Sequence, residues 1–168
     1  DPLAGVERHI YIPGLHHILH TTKYTVRAKK TSTIKLHQVT AITWKLRLGK
    51  DWTVPMVELV PQNPTGNAIL LLGDEGRGKL ANQALAHLNK GHRVLALDPF
   101  YYGESQINTR GFLHAILVAA VGERPLGIQV SQVAAIARWI HEKEKKMVDV
   151  EAHGPRTSTI ALAATALD

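Results

Sequence analysis

The sequence predicts an α/β domain: a mainly parallel sheet with helices on both faces, preceded by a basic, β-rich N-terminal segment. Three observations predict it. Ala68 to Leu72 and Arg93 to Leu97 are short runs dominated by Leu, Ile, Val and Ala, of the kind buried on both faces of a parallel sheet. Segments with apolar residues at helical spacing lie between and after them, and strands joined through helices pair in parallel by right-handed crossovers. The chain has 168 residues, 45% of them hydrophobic, enough for one sizeable core and too few for two ordinary domains.

The elements follow in order, with a division near Asp51. Before it, Tyr24 to Val26, Thr33 to Leu36 and Val39 to Leu46 are β-branched runs whose partial alternation suits half-buried strands or extended arms, and residues 1–50 are expected to form an accessory segment. Residues 51–168 are expected to form the α/β unit. Met56 to Val60 is a strand, and Pro61 to Asn67 is dense in turn residues. After the apolar strand 68–72, Leu80, Ala84, Leu85 and Leu88 recur at helical spacing within Lys79 to Asn89, and Gly91 stops that helix. Phe112 to Val121 is an apolar helix, broken by Gly122 to Gly127, and Val130 to Glu144 is amphipathic. Met147 to Ala152 is a third sheet strand, and Ser158 to Leu167 is a helix of small residues.

Composition narrows the function classes. There is no cysteine, which excludes disulfides, thiolate catalysis and Cys-based zinc sites. Lys and Arg number 20 against 14 Asp and Glu, a formal charge of +6. The excess is local, since residues 8–50 hold nine Lys or Arg and no Asp or Glu. Within that stretch Lys23, Arg27, Lys29, Lys30 and Lys35 form a basic arm. Its interleaved aromatics are only Tyr24 and Trp44, which favours a solvated basic surface over a nucleic-acid groove. His16, His17 and His20, with His9 and His37, include an i, i+4 pair, but no carboxylate accompanies them and no metal site is expected. No apolar run reaches the roughly 18 residues of a membrane span. The chain opens at Asp1 without a charged-then-apolar leader, as a processed or internal piece of a longer protein would.

In an open parallel sheet the ligand site lies beyond the carboxyl ends of the strands, so three loops carry the chemistry: Gly73 to Gly78, Asp98 to Ser105 and His153 to Ser158. The first nearly forms a phosphate-binding loop, with two glycines five apart and Lys79 following. Leu80 stands where a hydroxyl must hold Mg²⁺, and Asp74 and Glu75 place negative charge where phosphates would sit. No nucleotide or other cofactor is therefore expected.

The string Arg93-Val94-Leu95-Ala96-Leu97-Asp98-Pro99-Phe100-Tyr101-Tyr102-Gly103-Glu104-Ser105 resembles the strand, Asp and Gly-x-Ser loop found before the nucleophile unit in α/β-hydrolases. Arg124 to Val130 followed by Ala134 to Ile140 looks like the loop and helix before the nucleophile strand in the acetyl xylan esterase-like branch, and Asp51 to Pro61 resembles that branch's first strand. The resemblance covers about residues 51–168. It implies carboxylic ester hydrolysis, with Asp74, Glu75 and Gly76 as a candidate oxyanion loop and Asp98, Tyr101, Tyr102, Glu104 and Ser105 around a ligand crevice for a small ester or carbohydrate.

The departures from that pattern matter most. The family's nucleophile sits in a Gly-x-Ser-x-Gly elbow between a buried strand and a helix. Here the third strand runs into His153-Gly154-Pro155-Arg156-Thr157-Ser158, and Gly154 or Pro155 occupies the nucleophile position. Ser158 is a weak nucleophile candidate, better explained as a cap or first-turn residue of the next helix. The triad acid and His follow later strands in this fold, and Asp168 comes one helix past the elbow. The sequence thus describes a partial or degenerate esterase-like domain without its own catalytic serine. The alternative is a non-catalytic binding or assembly domain, in which the same crevice holds a carbohydrate-like ligand, the basic arm meets a polyanion, or the sheet edge meets the remainder of the same domain or another subunit.

Overall fold

Two kinds of strand connection decide the sheet. Turns of two or three residues can only reverse a chain, whereas parallel neighbours need a crossover of a dozen residues or more. In the computed structural model, which describes residues 12–107, 109 and 111–167, both kinds occur. Strands β1 (Val26–Leu36), β2 (Val39–Leu48) and β3 (Trp52–Pro61) form an antiparallel meander. Strands β4 (Ala68–Gly73), β5 (Arg93–Leu97) and β6 (Val148–His153) are joined by helices and pair in parallel. The order is β1-β2-β3-β5-β4-β6, with β3 antiparallel to β5. The sheet is therefore mixed, not mainly parallel. The short turns at His37–Gln38 and Gly49–Asp51 leave the N-terminal half no crossover. The division suggested at residue 51 falls in the second of these turns, between strands that pair over their full length.

Helix α2 (Ala81–Leu88) covers one face, where Leu80 and Ala84 meet Leu71, Val94 and Ala96. Helices α4 (Pro125–Glu144) and α5 (Pro155–Leu167) cover the other, burying Val130, Val133, Ile136, Ile140, Ile160 and Ala164 on Leu46, Leu70, Leu72 and Leu95. The middle strand β4 is buried at every residue, which is why its sequence reads as an unbroken apolar run. Helix α1, residues 12–19, rests on α4 at Gly127, where a Cβ would overlap the Leu19 carbonyl oxygen. Helix α3 (Gly111–Ala120) packs loosely, leaving Phe112, Ile116 and Leu117 exposed.

Two helices begin earlier than sequence periodicity suggests. α4 opens at Pro125 and α5 at Pro155, positions where proline costs no hydrogen bond and already has a helical φ. Ser158 is consequently the fourth residue of α5 and does not cap it. Among the described residues no single helix is long and apolar enough to cross a membrane; α3 and α4 would reach that composition only as a pair bent by 84°.

One buried polar group braces the sheet. Glu58 on β3 is 3% exposed and accepts from the Trp44 indole N–H on β2 at 2.6 Å and from Arg93 Nε on β5 at 2.6 Å, while Arg93 also pairs with Glu144 of α4. Glu58→Ala leaves an indole and a guanidinium without this acceptor and should cost about 3 kcal/mol, with Glu58→Gln costing less. Urea unfolding of the two variants measures the difference.

Candidate functional site

Because β5, β4 and β6 lie side by side and run the same way, the loops that follow them meet at one end of the sheet. The β6–α5 connection is a sharp strand-to-helix turn. Gly154 is its left-handed residue, with φ +115°, and a Cβ there would overlap the Asp74 carboxylate. Asp74, at the end of β4, holds the turn in place. Its carboxylate accepts from the Thr157 amide at 2.7 Å, the Thr157 hydroxyl at 2.8 Å and the Arg156 amide at 3.2 Å. Its own amide donates to the His153 carbonyl at 3.0 Å, and Arg156 Nη2 donates to its carbonyl at 3.1 Å. Burial raises the Asp74 pKa, but the hydrogen bonds from Thr157 and Arg156 and the nearby guanidinium outweigh it and leave the group below the ordinary carboxylate range.

The donors of the β4 loop are mostly committed. Asp74 N–H is spent on His153, Gly76 N–H donates to Gly73 O at 2.9 Å, and Arg77 N–H donates to Asp98 Oδ1 at 2.7 Å. Within Asp74, Glu75 and Gly76, only the Glu75 amide donates to no group among the described residues. The loop 74–76 thus offers one uncommitted backbone donor among the described residues.

Asp98 is 1% exposed and organises the β5 loop. Its carboxylate pairs with the Arg77 guanidinium and accepts the Glu104 amide at 3.0 Å, and its carbonyl accepts Ser105 Oγ at 2.9 Å. Gly103, at φ +46°, leaves room for that carboxylate, and Gly76 and Gly103 approach so closely that a Cβ on Gly76 would come 2.5 Å from the Gly103 Cα. These contacts give Glu104 and Ser105 their places: Glu104 pairs with Arg77 at 2.6 Å and Ser105 ties the loop to the end of its strand.

The crevice residues divide. Tyr102 is buried beneath the elbow with the Arg156 guanidinium 5.2 Å from its ring centre; burial lifts its phenol above the ordinary value, against the lowering influence of Arg156. Tyr101, Glu104 and Ser105 instead line a cavity of about 770 Å³ between α3 and the β1–β3 sheet. Asp98 lines neither surface, being enclosed by its own loop.

Sequence inspection missed a row of polar groups on β6. Glu151 lies between two imidazoles, 2.8 Å from His87 Nε2 and 2.6 Å from His153 Nε2. Burial raises its pKa, and the two histidines more than offset this and hold it below the ordinary range. The alternation Asp149, Glu151, His153 along a strand was the available signal, because odd residues share one face. The geometry orients both rings, as a carboxylate orients a general base, but no nucleophilic hydroxyl among the described residues is bonded to either ring. Ser158 is exposed and its amide donates to Gly154 O at 3.0 Å as part of the α5 first turn.

The N-terminal histidines do not converge. His16 bonds Thr21 Oγ1 at 2.5 Å, His20 bonds the Gly122 carbonyl at 2.6 Å, and the His17 and His20 rings are 6.3 Å apart. His37 is in the β1–β2 turn, and His9 lies outside the described residues. No group of three His, Cys, Asp or Glu able to hold a metal ion occurs among the described residues. Arg27, Lys29, Lys30 and Lys35 lie along β1, and Lys23 precedes it.

This arrangement of sheet and crossover helices is similar to that of solved esterase structures. A Bacteroides fragilis protein provisionally assigned as an acetyl xylan esterase superposes with a TM-score of 0.79 at 15% identity, over 96% of this chain and 50% of that one. Acetyl xylan esterase 1 from Thermoanaerobacterium matches with a TM-score of 0.65 at 15% identity, covering 96% and 54%. A cold-adapted esterase from an Arctic intertidal metagenomic library matches with a TM-score of 0.60 at 17% identity, covering 83% and 59%. The chain spans about half the length of these solved structures. Coverage of 96% leaves too few residues unmatched to exclude β1 and β2, which the resemblance in sequence had left outside. No protein-family model matches the chain, and no curated protein does.

Asp74 and Glu151 titrate below their unfolded values, so each contributes stability that is complete above the ordinary carboxylate pKa of about 4 and is lost as pH falls through the lower folded value. Unfolding free energy should therefore decline in acid below about pH 4. Asp74→Asn should lower stability at pH 7 and make that decline shallower, as denaturant titrations at pH 7 and pH 3 will measure.

Proposed function

We propose that this chain is a partial or degenerate member of the esterase-like α/β-hydrolases, related to acetyl xylan esterases and lacking a serine nucleophile of its own. The observation that carries this is Gly154. It is the left-handed residue at the strand-to-helix turn, the place where this fold strains a backbone to present an attacking hydroxyl, and it has no side chain. The surroundings are consistent with a turn kept for structure. Asp74 fills the space a side chain would need, Thr157 is wholly buried against it, and the neighbouring loop offers one uncommitted donor where acyl transfer uses two.

Incubation with p-nitrophenyl acetate should give no turnover above the uncatalysed rate, and a serine-directed fluorophosphonate should leave the intact mass unchanged. An adduct on Ser158 would assign the nucleophile to α5 and sink this reading. Gly154→Ser should not restore activity, since the new Cβ both overlaps Asp74 and adopts a backbone that costs an L-residue about 1–2 kcal/mol; thermal unfolding should reveal the loss.

A second reading, a non-catalytic assembly domain, is favoured by the edge of the sheet. β6 is the last strand in the order, and its outer edge pairs with no strand among the described residues. Beside it an apolar groove of about 540 Å³ runs between α4 and α5 past Val148, Val150, Ala137 and Ala164. Such an edge is a template for strand addition, by the remainder of the same domain or by another subunit. Light scattering across a concentration series, with and without Val150→Lys, tests it: a partnered edge gives mass above that of the single chain, reduced in the variant.

A further inference from the structure

We propose that the cavity beneath α3 binds a flat aromatic carboxylate, at a place separate from the β6–α5 elbow and independent of whether that elbow catalyses anything. At about 770 Å³ it has the size of a small-molecule site, and its walls are built for a ring. Trp52 and Phe100 meet edge to face at 5.0 Å, and Tyr101 continues the wall 6.0 Å from Phe100. Trp44 also lines the cavity, with its indole N–H committed to Glu58 and its ring packed edge to face on Trp139 at 6.0 Å. The wall is formed in advance. Helix α4 clamps the Phe100 backbone from both sides, the Phe100 amide donating to Gln132 Oε1 at 2.7 Å and Gln129 Nε2 donating to the Phe100 carbonyl at 3.0 Å.

The polar groups select the charge. Gln132 lines the cavity, is 1% exposed, and has its oxygen fixed by Phe100, yet its Nε2 donates to no group among the described residues. An amide donor left open on the cavity wall favours a ligand that brings an acceptor. Lys45 also lines the cavity, is paired with no carboxylate among the described residues, and Lys30 Nζ lies 5.5 Å from the Trp44 ring beside it. The one acid of the lining, Glu104, is already neutralised by Arg77 at 2.6 Å. An open, apolar aromatic crevice with a free donor and an uncompensated cation is complementary to an aryl ring bearing an anionic oxygen pair.

The test is calorimetric titration of the chain with 2-naphthoate, and with 2-naphthamide as its neutral isostere. Naphthoate should bind one site per chain, and naphthamide at least tenfold more weakly. Gln132→Glu keeps the acceptor for the Phe100 amide and replaces the free donor with negative charge, so it should weaken naphthoate at least tenfold. Lys45→Met should weaken naphthoate several-fold and leave naphthamide unchanged. Leu117→Trp, on the exposed rim, fills the space and should abolish both; being a surface change on α3 it keeps the question answerable if the Gln132 variant does not fold. No heat with naphthoate up to millimolar concentration, equal affinity for acid and amide, or naphthoate binding indifferent to Leu117→Trp each overturns the proposal. None of these outcomes bears on the esterase assays, which probe Gly154 and Ser158.

Discussion

The ion pair between Asp98 and Arg77 is the contact on which the carboxyl-terminal face of the sheet depends. A carboxylate this deeply buried would be costly alone, and it is tolerated because it receives a guanidinium and two backbone amides at once. In return it holds the β4 and β5 loops together, with Gly76 and Gly103 in near contact. Everything the face presents follows from this. The β5 loop, so anchored, turns Tyr102 under the elbow and Tyr101 toward α3, and Glu104 is left to balance Arg77 from the solvent side.

The elbow is held by different chemistry. Asp74 and Thr157 occupy the angle between β4 and α5 with short hydrogen bonds, and the turn itself requires a residue without a Cβ. The carboxylate of Asp74 fills the space beside Gly154 that a side chain there would need.

Local features were legible in the sequence and non-local ones were not. β4 and β5 announced themselves because burial on both faces demands continuous apolar residues, and α2 because Leu80, Ala84 and Leu88 share a face. The starts of α4 and α5 were legible in principle, since Pro125 and Pro155 suit a first helical turn, but proline beside glycine also marks a break. The antiparallel pairing of β3 with β5 depends on packing rather than on any residue near either strand. The same holds for the site. Gly154 at the turn could be placed by register, but Thr157 meeting Asp74 joins residues 83 apart, and the cavity joins β1, β2 and β3 to a helix that lies within the second crossover.

The two borders of the sheet differ in a way that limits what can be built from it. β1 carries Lys29, Lys30 and Lys35 and a bulge at Thr31 that breaks its register, devices that discourage another strand from docking. β6 has neither. Head-to-tail stacking, which needs both borders, is thereby disfavoured. Two copies meeting through β6 would be related by a twofold axis and would exhaust the open border of each, so growth by that route stops at two.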